Sequence, residues 1–430
     1  MLWQVLSRSH QLLFGHEMTL FMRQFLRHLS LSLTGYVVGN SILFIAIVVA
    51  GRLLGPYQFG RYALVMAIAQ ILIIPMLPGT DVAVMRETAL RRGARRRRAI
   101  SSGFVFTIFT SFTTALLAFV LAQPVITLLD LDIVVWRVAV VVALAVTVRT
   151  FFDSVIRGKG EWHLQMLVRM LDAAIVLAVL AASLWLFALH DFRALVAGIV
   201  AGALVAGLLF LARSVHGHLS YAAMDVETLR TLWRYGRFGV LGATGGILLV
   251  SADKVIIGNL LGTTTLGIYQ AYYFASVQLA GQVGLIFLNV FFPTIVRQQD
   301  LTAVLHKIDR LVLMLFAPAL FLVALWLTFT LWLFSHAFGL DARLIALMSL
   351  YGVLWFLYLA YWTLMASTGP QGMLYASATG LLAGGLFILA VLRLVPSLGI
   401  FAPGISFLLT SLYLAAVVLL WRWRFRHTLR

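Results

Sequence analysis

The residues of this chain that could do chemistry are ionisable and amide side chains set inside long apolar runs. Asp253 and Lys254 lie in the run 237–260, about seven residues, or roughly 10 Å, from its far end at 1.5 Å per residue. A charged group at that depth is costly and faces a cavity or a partner. A carboxylate there could bind a coupling ion or a proton, and an ammonium could attract an anion. Alternatively the two screen each other and Lys254 snorkels toward the interface. Arg149 and Asp153 are four residues apart, and Arg169 and Asp172 three apart, so each pair shares a helix face. They read as a charged vestibule or as ion pairs that seat helix ends among headgroups. Arg86 with Glu87 closes the second apolar run. Asn40 and Gln278, with Gln70, Gln282, Asn289, Tyr358, Tyr361 and Trp362, could bind a polar solute or bond between helices.

Other chemistries find no support. There is no cysteine, so disulfides and thiolate chemistry are excluded. No G-x4-G-K-[ST] run cradles a nucleotide. His216 and His218 lack carboxylate or thiolate company and make a poor metal site. No nucleophile–base set can be assembled. The reading is of a non-enzyme with no catalytic residues, no metal and no cofactor.

Composition dictates what holds these residues in place. Of 430 residues, 62% are hydrophobic and 11% charged, whereas a soluble domain is about a quarter charged. Such a chain needs lipid around it. Spans of about 20 apolar residues fall near 34–51, 62–79, 101–122, 134–152, 166–188 and 193–213. A second set lies near 237–260, 264–291, 308–334, 342–366, 373–394 and 401–421. The net charge is +17, and the basic residues sit between the runs, which argues for membrane topogenesis over nucleic-acid binding. With the N-terminus inside, all but seven of the 32 Lys and Arg fall on inner segments, the exceptions being Arg52, Arg61, Arg137, Arg193, Lys254, Arg343 and Arg393. Both termini are therefore expected in the cytoplasm. The arginine run 91–98 reads as topogenic, or as a holder of anionic headgroups. Residues 1–33 read as an amphipathic surface segment, with Met18 or Met22 a candidate start. Residues 214–236 read as a cytoplasmic linker helix, and 422–430 as a basic tail.

Two stretches match. Gly51-Arg52-Leu53-Leu54-Gly55, then Gly60 and Tyr62, is repeated as Gly258-Asn259-Leu260-Leu261-Gly262, then Gly267 and Tyr269. Both read G-x-L-L-G-x4-G-x-Y, and both fall between the first and second span of a six-span set. The glycines suit a tight turn, and the tyrosine suits the interfacial aromatic belt. Gly242 and Gly246 offer the Asp253 side of the seventh span a narrow packing face. The expected fold is all-α: about twelve transmembrane helices in two six-helix lobes, 34–213 and 237–421, related by a parallel pseudo-repeat.

Several segments together resemble the Wzx-type polysaccharide flippases. They are Ala50 through Leu64, Val84-Met85-Arg86-Glu87-Thr88-Ala89, Ile156-Arg157-Gly158-Lys159-Gly160, Ser251 through Gly262, and Phe292-Pro293. That family belongs to a superfamily with multidrug cation antiporters and peptidoglycan-precursor flippases. The resemblance implies a bacterial inner-membrane transporter that flips polyprenyl-diphosphate-linked oligosaccharide outward by alternating access, for surface polysaccharide biosynthesis. It also implies membrane lipids, a polysaccharide polymerase and other assembly proteins as partners, no nucleic acid, and coupling to H+ or Na+. On it, Asp253 would bind the ion, Lys254 would meet the diphosphate or an acidic sugar, and Arg149, Asp153, Arg169 and Asp172 would line the inner vestibule. Asp81 departs from the family pattern, where uncharged residues are common. Two other readings stand: an ion-coupled antiporter of small cations, and a membrane-embedded enzyme of polysaccharide assembly, against which the short outer loops argue.

Overall fold

In hydrocarbon every backbone N–H and C=O must find a partner within the protein, and a helix supplies them all within one segment. The computed structural model describes residues 20–219, 225–284, 301–368 and 370–428. Within them the chain forms thirteen α-helices and no strand. They are α1 Leu20–Met76, α2 Thr80–Leu90, α3 Gly93–Val120, α4 Ala122–Leu129, α5 Ile133–Lys159, α6 Trp162–Trp185 and α7 Phe192–Phe210. Then come α8 Val226–Leu260, α9 Thr263–Tyr273, α10 Leu301–Phe334, α11 Ala342–Ser367, α12 Pro370–Leu398 and α13 Ala402–Thr428.

Nine stretches of the described residues are long and apolar enough to cross a bilayer. Two are too long for one crossing. Thr34–Met76 has 43 residues and Gln371–Trp423 has 53, about 65 and 80 Å of helix against a hydrocarbon core of about 30 Å. Each is broken near its middle. Gly55 (φ 73°, ψ 172°) interrupts α1, and a 3-10 turn at Gly399–Phe401 separates α12 from α13. The two long stretches therefore supply four crossings, for eleven in all. A twelfth begins with α9 and its π-helical continuation Phe274–Gln278, and its far end lies outside the described residues. The protein is a multi-pass, all-helical membrane protein. Phe112, Leu313 and Leu389 are exposed on the outside of the bundle, as lipid-facing residues are.

The repeat is visible in the backbone. Gly262 (φ 84°, ψ 164°) takes the same conformation as Gly55, in a region that only glycine enters freely. Beyond each turn the second helix of one half crosses its counterpart in the other. A Cβ on Gly60 would lie 1.9 Å from the Thr263 carbonyl oxygen, and one on Gly267 would lie 1.8 Å from that of Pro56. Gly60 and Gly267 are equivalent in the repeat, as are Pro56 and Thr263. The contact is thus reciprocal, the signature of a pseudo-twofold axis running between the halves. Phe59 stacks with Tyr62 and meets Phe334 edge-on beside it, sealing this end of the bundle, termed here the turn end. The opposite end carries the arginine run.

Four expectations change. Residues 226–236 are not a separate linker helix. They are the first turns of α8, which continues unbroken through the seventh span. Leu232 packs there in the core of the first half, with Val84, Ile100 and Phe151, because the apolar faces of α2 and α3 need covering. At the other terminus, α1 runs from Leu20 straight into the first span, while residues 1–19 and the start-site question lie outside the described residues. The repeat tyrosines are not interfacial, since Tyr62 and Tyr269 are buried. Finally, the narrow face of α8 is Gly242 and Gly245, set against Ser377 and Gly380, while nothing approaches Gly246.

The glycine contact yields a prediction. Gly60→Ala and Gly267→Ala should each lower stability by about 1–3 kcal/mol, the usual cost of overpacking. Thermal melting of the purified protein in detergent checks this. Gly246→Ala, within a helix and meeting no neighbour, should leave the midpoint unchanged or slightly raised.

Candidate functional site

Directly below the glycine contact, between the two halves, lies a cavity of about 290 Å³. The second arm of α1 contributes Tyr62, Met66 and Gln70; α8 contributes Ser251 and Lys254. The α9 span contributes Gln270, Tyr273, Gln278, Gly281 and Gln282, and α11 contributes Trp355 and Leu359. Among the described residues no carboxylate lines it. Its polar groups are amides, hydroxyls and one ammonium, set among aromatic faces.

Asp253 and Lys254 occupy different environments. Asp253 is 0% exposed and lies behind the cavity wall. It accepts hydrogen bonds from the Tyr269 hydroxyl and, at 2.9 Å, from the backbone N–H of Lys254. Lys254 lines the cavity. Its Nζ donates to the Val250 carbonyl oxygen, lies 3.5 Å from Asp253 Oδ1 and sits 3.5 Å over the Tyr273 ring. A buried ammonium with a carboxylate, a carbonyl and a π-face is well compensated. Tyr269 was not read as a site residue, although the hairpin could have revealed it. Folding about Leu261, at the turn, brings residues equally spaced from it opposite one another, and Asp253 and Tyr269, each eight residues away, are such a pair. The equivalents of Asp253 and Lys254 in the first half are Ala46 and Ile47, so the charged pair belongs to one half alone.

The arginine–aspartate pairings differ from those expected along single helices. Arg149 on α5 pairs across to Asp172 on α6 at 2.9 Å. Asp153 pairs with Arg157 at 3.1 Å and accepts from Gln165 at 3.1 Å. For Arg149 the reason is that α5 and α6 are adjacent and antiparallel about the Gly160 turn, so the carboxylate on the facing helix lies closer than the one a turn away; Asp153–Arg157 stays within α5. Arg169 faces elsewhere. Its guanidinium lies 4.1 Å over the Tyr36 ring and donates to Asn40 Oδ1 at 3.2 Å. Asn40 in turn donates to Gln282 Oε1 at 3.3 Å. Asn40 thus touches the cavity through Gln282, while Gln278 lines it directly.

Arg86 lies apart from the cavity. Its side chain is 44% exposed on α2, 3.6 Å from Glu87. Arg91, Arg95 and Arg98 line a separate cleft at the arginine end together with Glu87, Asp225 and Glu227, so that surface carries both signs of charge. Tyr361 donates to Asp309, which Arg422 also grips, and Trp362 donates to the Ala376 carbonyl. These groups tie helices together outside the cavity. Asn289 and Phe292-Pro293 lie outside the described residues. No group of three or more His, Asp or Glu side chains that could hold a metal occurs among the described residues.

Residues 25–299 match the family described as polysaccharide biosynthesis protein. No curated protein matches the chain in sequence. Solved structures match its fold at low identity. One is an inward-facing multidrug resistance MATE family transporter of the MOP superfamily: 16% identity, TM-score 0.66, covering 90% of this chain and 94% of that one. Another is an outward-facing transporter of that description: 14% identity, TM-score 0.62, 93% and 95% covered. A third is a MOP superfamily transporter from Pyrococcus furiosus, reported to have a binding pocket of reverse polarity: 17% identity, TM-score 0.57, 93% and 95% covered.

Two outcomes follow from this geometry. Asp253→Ala strands the Lys254 ammonium and should destabilise the protein by about 3–5 kcal/mol, and adding Lys254→Met should restore much of that loss. Melting midpoints of the single and double variants test the pairing. Asp81, at the start of α2, has its carboxyl raised above the ordinary range by burial, against the pull of the Val82 N–H and Arg157. The folded state therefore holds this proton more tightly than the unfolded one, and stability is lost as pH rises through the carboxylate range. Asp81→Asn should raise the midpoint at about pH 7 and leave it nearly unchanged at about pH 4.

Proposed function

Because the chain belongs to the polysaccharide biosynthesis protein family, we propose that it is a transporter that moves polyprenyl-diphosphate-linked oligosaccharide across the membrane by alternating access of its two halves. The observation that carries this reading is the lining of the cavity between the halves. Among the described residues, four glutamines, a serine, two tyrosines and a tryptophan surround it with a single ammonium and no carboxylate. Amide and hydroxyl groups match the hydroxyls of a sugar, and aromatic faces suit its C–H faces. A small organic cation would find an ammonium where it needs a counter-charge. Asp253, the acid nearest in sequence to the cavity residues, is enclosed and bonded to Tyr269. That argues against the cation-antiporter reading, even though the fold is shared with MATE transporters.

The cavity of about 290 Å³ lies at the low end of small-ligand sites. It takes a sugar or two, so a whole repeat unit requires the halves to part. The glycine contact closes the turn end in this state, and Gly79, which caps α2, is set against Gly236 of α8 at the other. Similarity to both an inward-facing and an outward-facing transporter supports a rocking motion between these contacts. The Asp253–Tyr269–Lys254 group is where a coupling proton or Na+ would act. The excess of Lys and Arg at the arginine end supports both termini in the cytoplasm and a bacterial inner-membrane location, with the polysaccharide polymerase and other assembly proteins as partners. No catalytic role is proposed for any residue.

Deletion of the gene should leave lipid-linked repeat units on the cytoplasmic leaflet and abolish the corresponding surface polysaccharide. Oxidation of lipid-linked sugars by membrane-impermeant periodate, in intact and in permeabilised spheroplasts, reads the leaflet. Unchanged surface polysaccharide together with greater sensitivity to cationic dyes would replace this reading with the antiporter.

A further inference from the structure

We propose that Arg169, which does not line the cavity, sets the hydrogen-bond polarity of its floor, so that the cavity recognises an oxyanion on the substrate; the inference rests on the transport reading above. A guanidinium can only donate. Arg169 Nη2 lies 3.2 Å from the Asn40 side-chain amide, so Asn40 must present its oxygen there and its NH2 to the other side. That NH2 lies 3.3 Å from Gln282, so Gln282 must answer with its oxygen. The group Gln282 has left for the cavity is then its own NH2, a donor. The orientation is forced through two amides by one charge that cannot accept a hydrogen bond.

Arg169 is suited to this task. Among the described residues it has no carboxylate within ion-pair distance: Arg149 occupies Asp172 and Arg157 occupies Asp153. Its place against α1 depends on Gly39, where an added Cβ would come within 3.2 Å of Arg169 Cγ. Across the cavity the same polarity recurs. Gln70 Oε1 accepts from the Ser251 hydroxyl at 2.7 Å, which leaves the Gln70 NH2 toward the cavity, and Lys254 adds an ammonium. The Gln282 and Gln70 NH2 groups and the positive charge of Lys254 face one space that no carboxylate lines among the described residues, beside the Gln270 Oε1 acceptor. An acceptor-rich anionic group satisfies them, either a sugar carboxylate or a phosphate of the lipid carrier.

Asn40→Asp tests this directly. Aspartate still accepts from Arg169 but cannot donate to Gln282, so the Gln282 amide must reverse and turn its oxygen to the cavity. Gln282→Met removes the donor without adding a charge, so it separates loss of the donor from the negative charge that Asn40→Asp introduces, and it serves if Asn40→Asp fails to fold. Binding to the purified full-length protein in nanodiscs would be measured by calorimetry with three probes: trigalacturonate, farnesyl diphosphate and the neutral cellotriose. For each folded variant, charged-probe binding should fall about tenfold or more, the scale of one charge-assisted hydrogen bond, with cellotriose unchanged. Loss with trigalacturonate identifies a sugar carboxylate as the group recognised, and loss with farnesyl diphosphate identifies the carrier phosphate. Equal binding of both charged probes by wild type and variants overturns the proposal. So does an equal fall for cellotriose, or wild-type protein that binds neither charged probe. The leaflet assay on the deletion strain judges the transport reading separately.

Discussion

Where α1 crosses α9, two backbones approach until nothing larger than hydrogen fits between them. Gly60 meets the Thr263 carbonyl and Gly267 meets that of Pro56, each contact the image of the other. Without a hydrophobic force to join helices inside lipid, close van der Waals approach of small residues is what holds them. This contact sets the distance between the halves at the turn end, and the cavity exists because the helices diverge below it. Tyr62 and Gln270, within one turn of the glycines, already line that space.

Upon this symmetric frame the chemistry is asymmetric. The second half carries Asp253 and Lys254 where the first carries Ala46 and Ile47, and the first half carries Asn40 where the second has Ile247. A cavity on a pseudo-twofold axis is thereby given two different walls: an ammonium backed by an enclosed carboxylate on one, and an amide relay backed by a guanidinium on the other. Each charge is compensated at a distance from the cavity, by Tyr269 for Asp253 and by the Tyr36 ring for Arg169. Buried charges are tolerable only with such partners. The same partners restrict which polar atoms remain for a substrate.

Charge elsewhere serves the frame. The Arg149–Asp172 pair and the Gln165–Asp153 hydrogen bond fasten α5 and α6 near the arginine end. Arg422 with Asp309 and Tyr361 fastens α13 to α10 and α11. Each neutralises a group that would otherwise have to reach the headgroups. The inner turns of α8 cover the apolar faces of α2 and α3 through Leu232, so a helix of the second half is anchored in the first. Any relative motion of the halves would have to bend α8 or slide it over Gly79.

The sequence alone determined the spans, their break points and the repeat, because these depend on hydropathy and on glycine, and both act locally. The turn at Gly55 and the turn at Gly262 were legible as a shared motif, and their matching φ and ψ follow from a conformation other residues avoid. The burden on Asp253 and Lys254 was legible too, since a charge in an apolar run is conspicuous wherever the run folds. What only the tertiary structure decided is which groups face one another. Asp172 chose Arg149 over Arg169 because the facing helix was nearer than the next turn. Tyr269 was diverted from the interface to Asp253, and Arg169 reached the cavity through Asn40 and Gln282, residues 242 positions apart. Such choices turn on ångström-scale distances between helices far apart in the chain, and no local pattern encodes them.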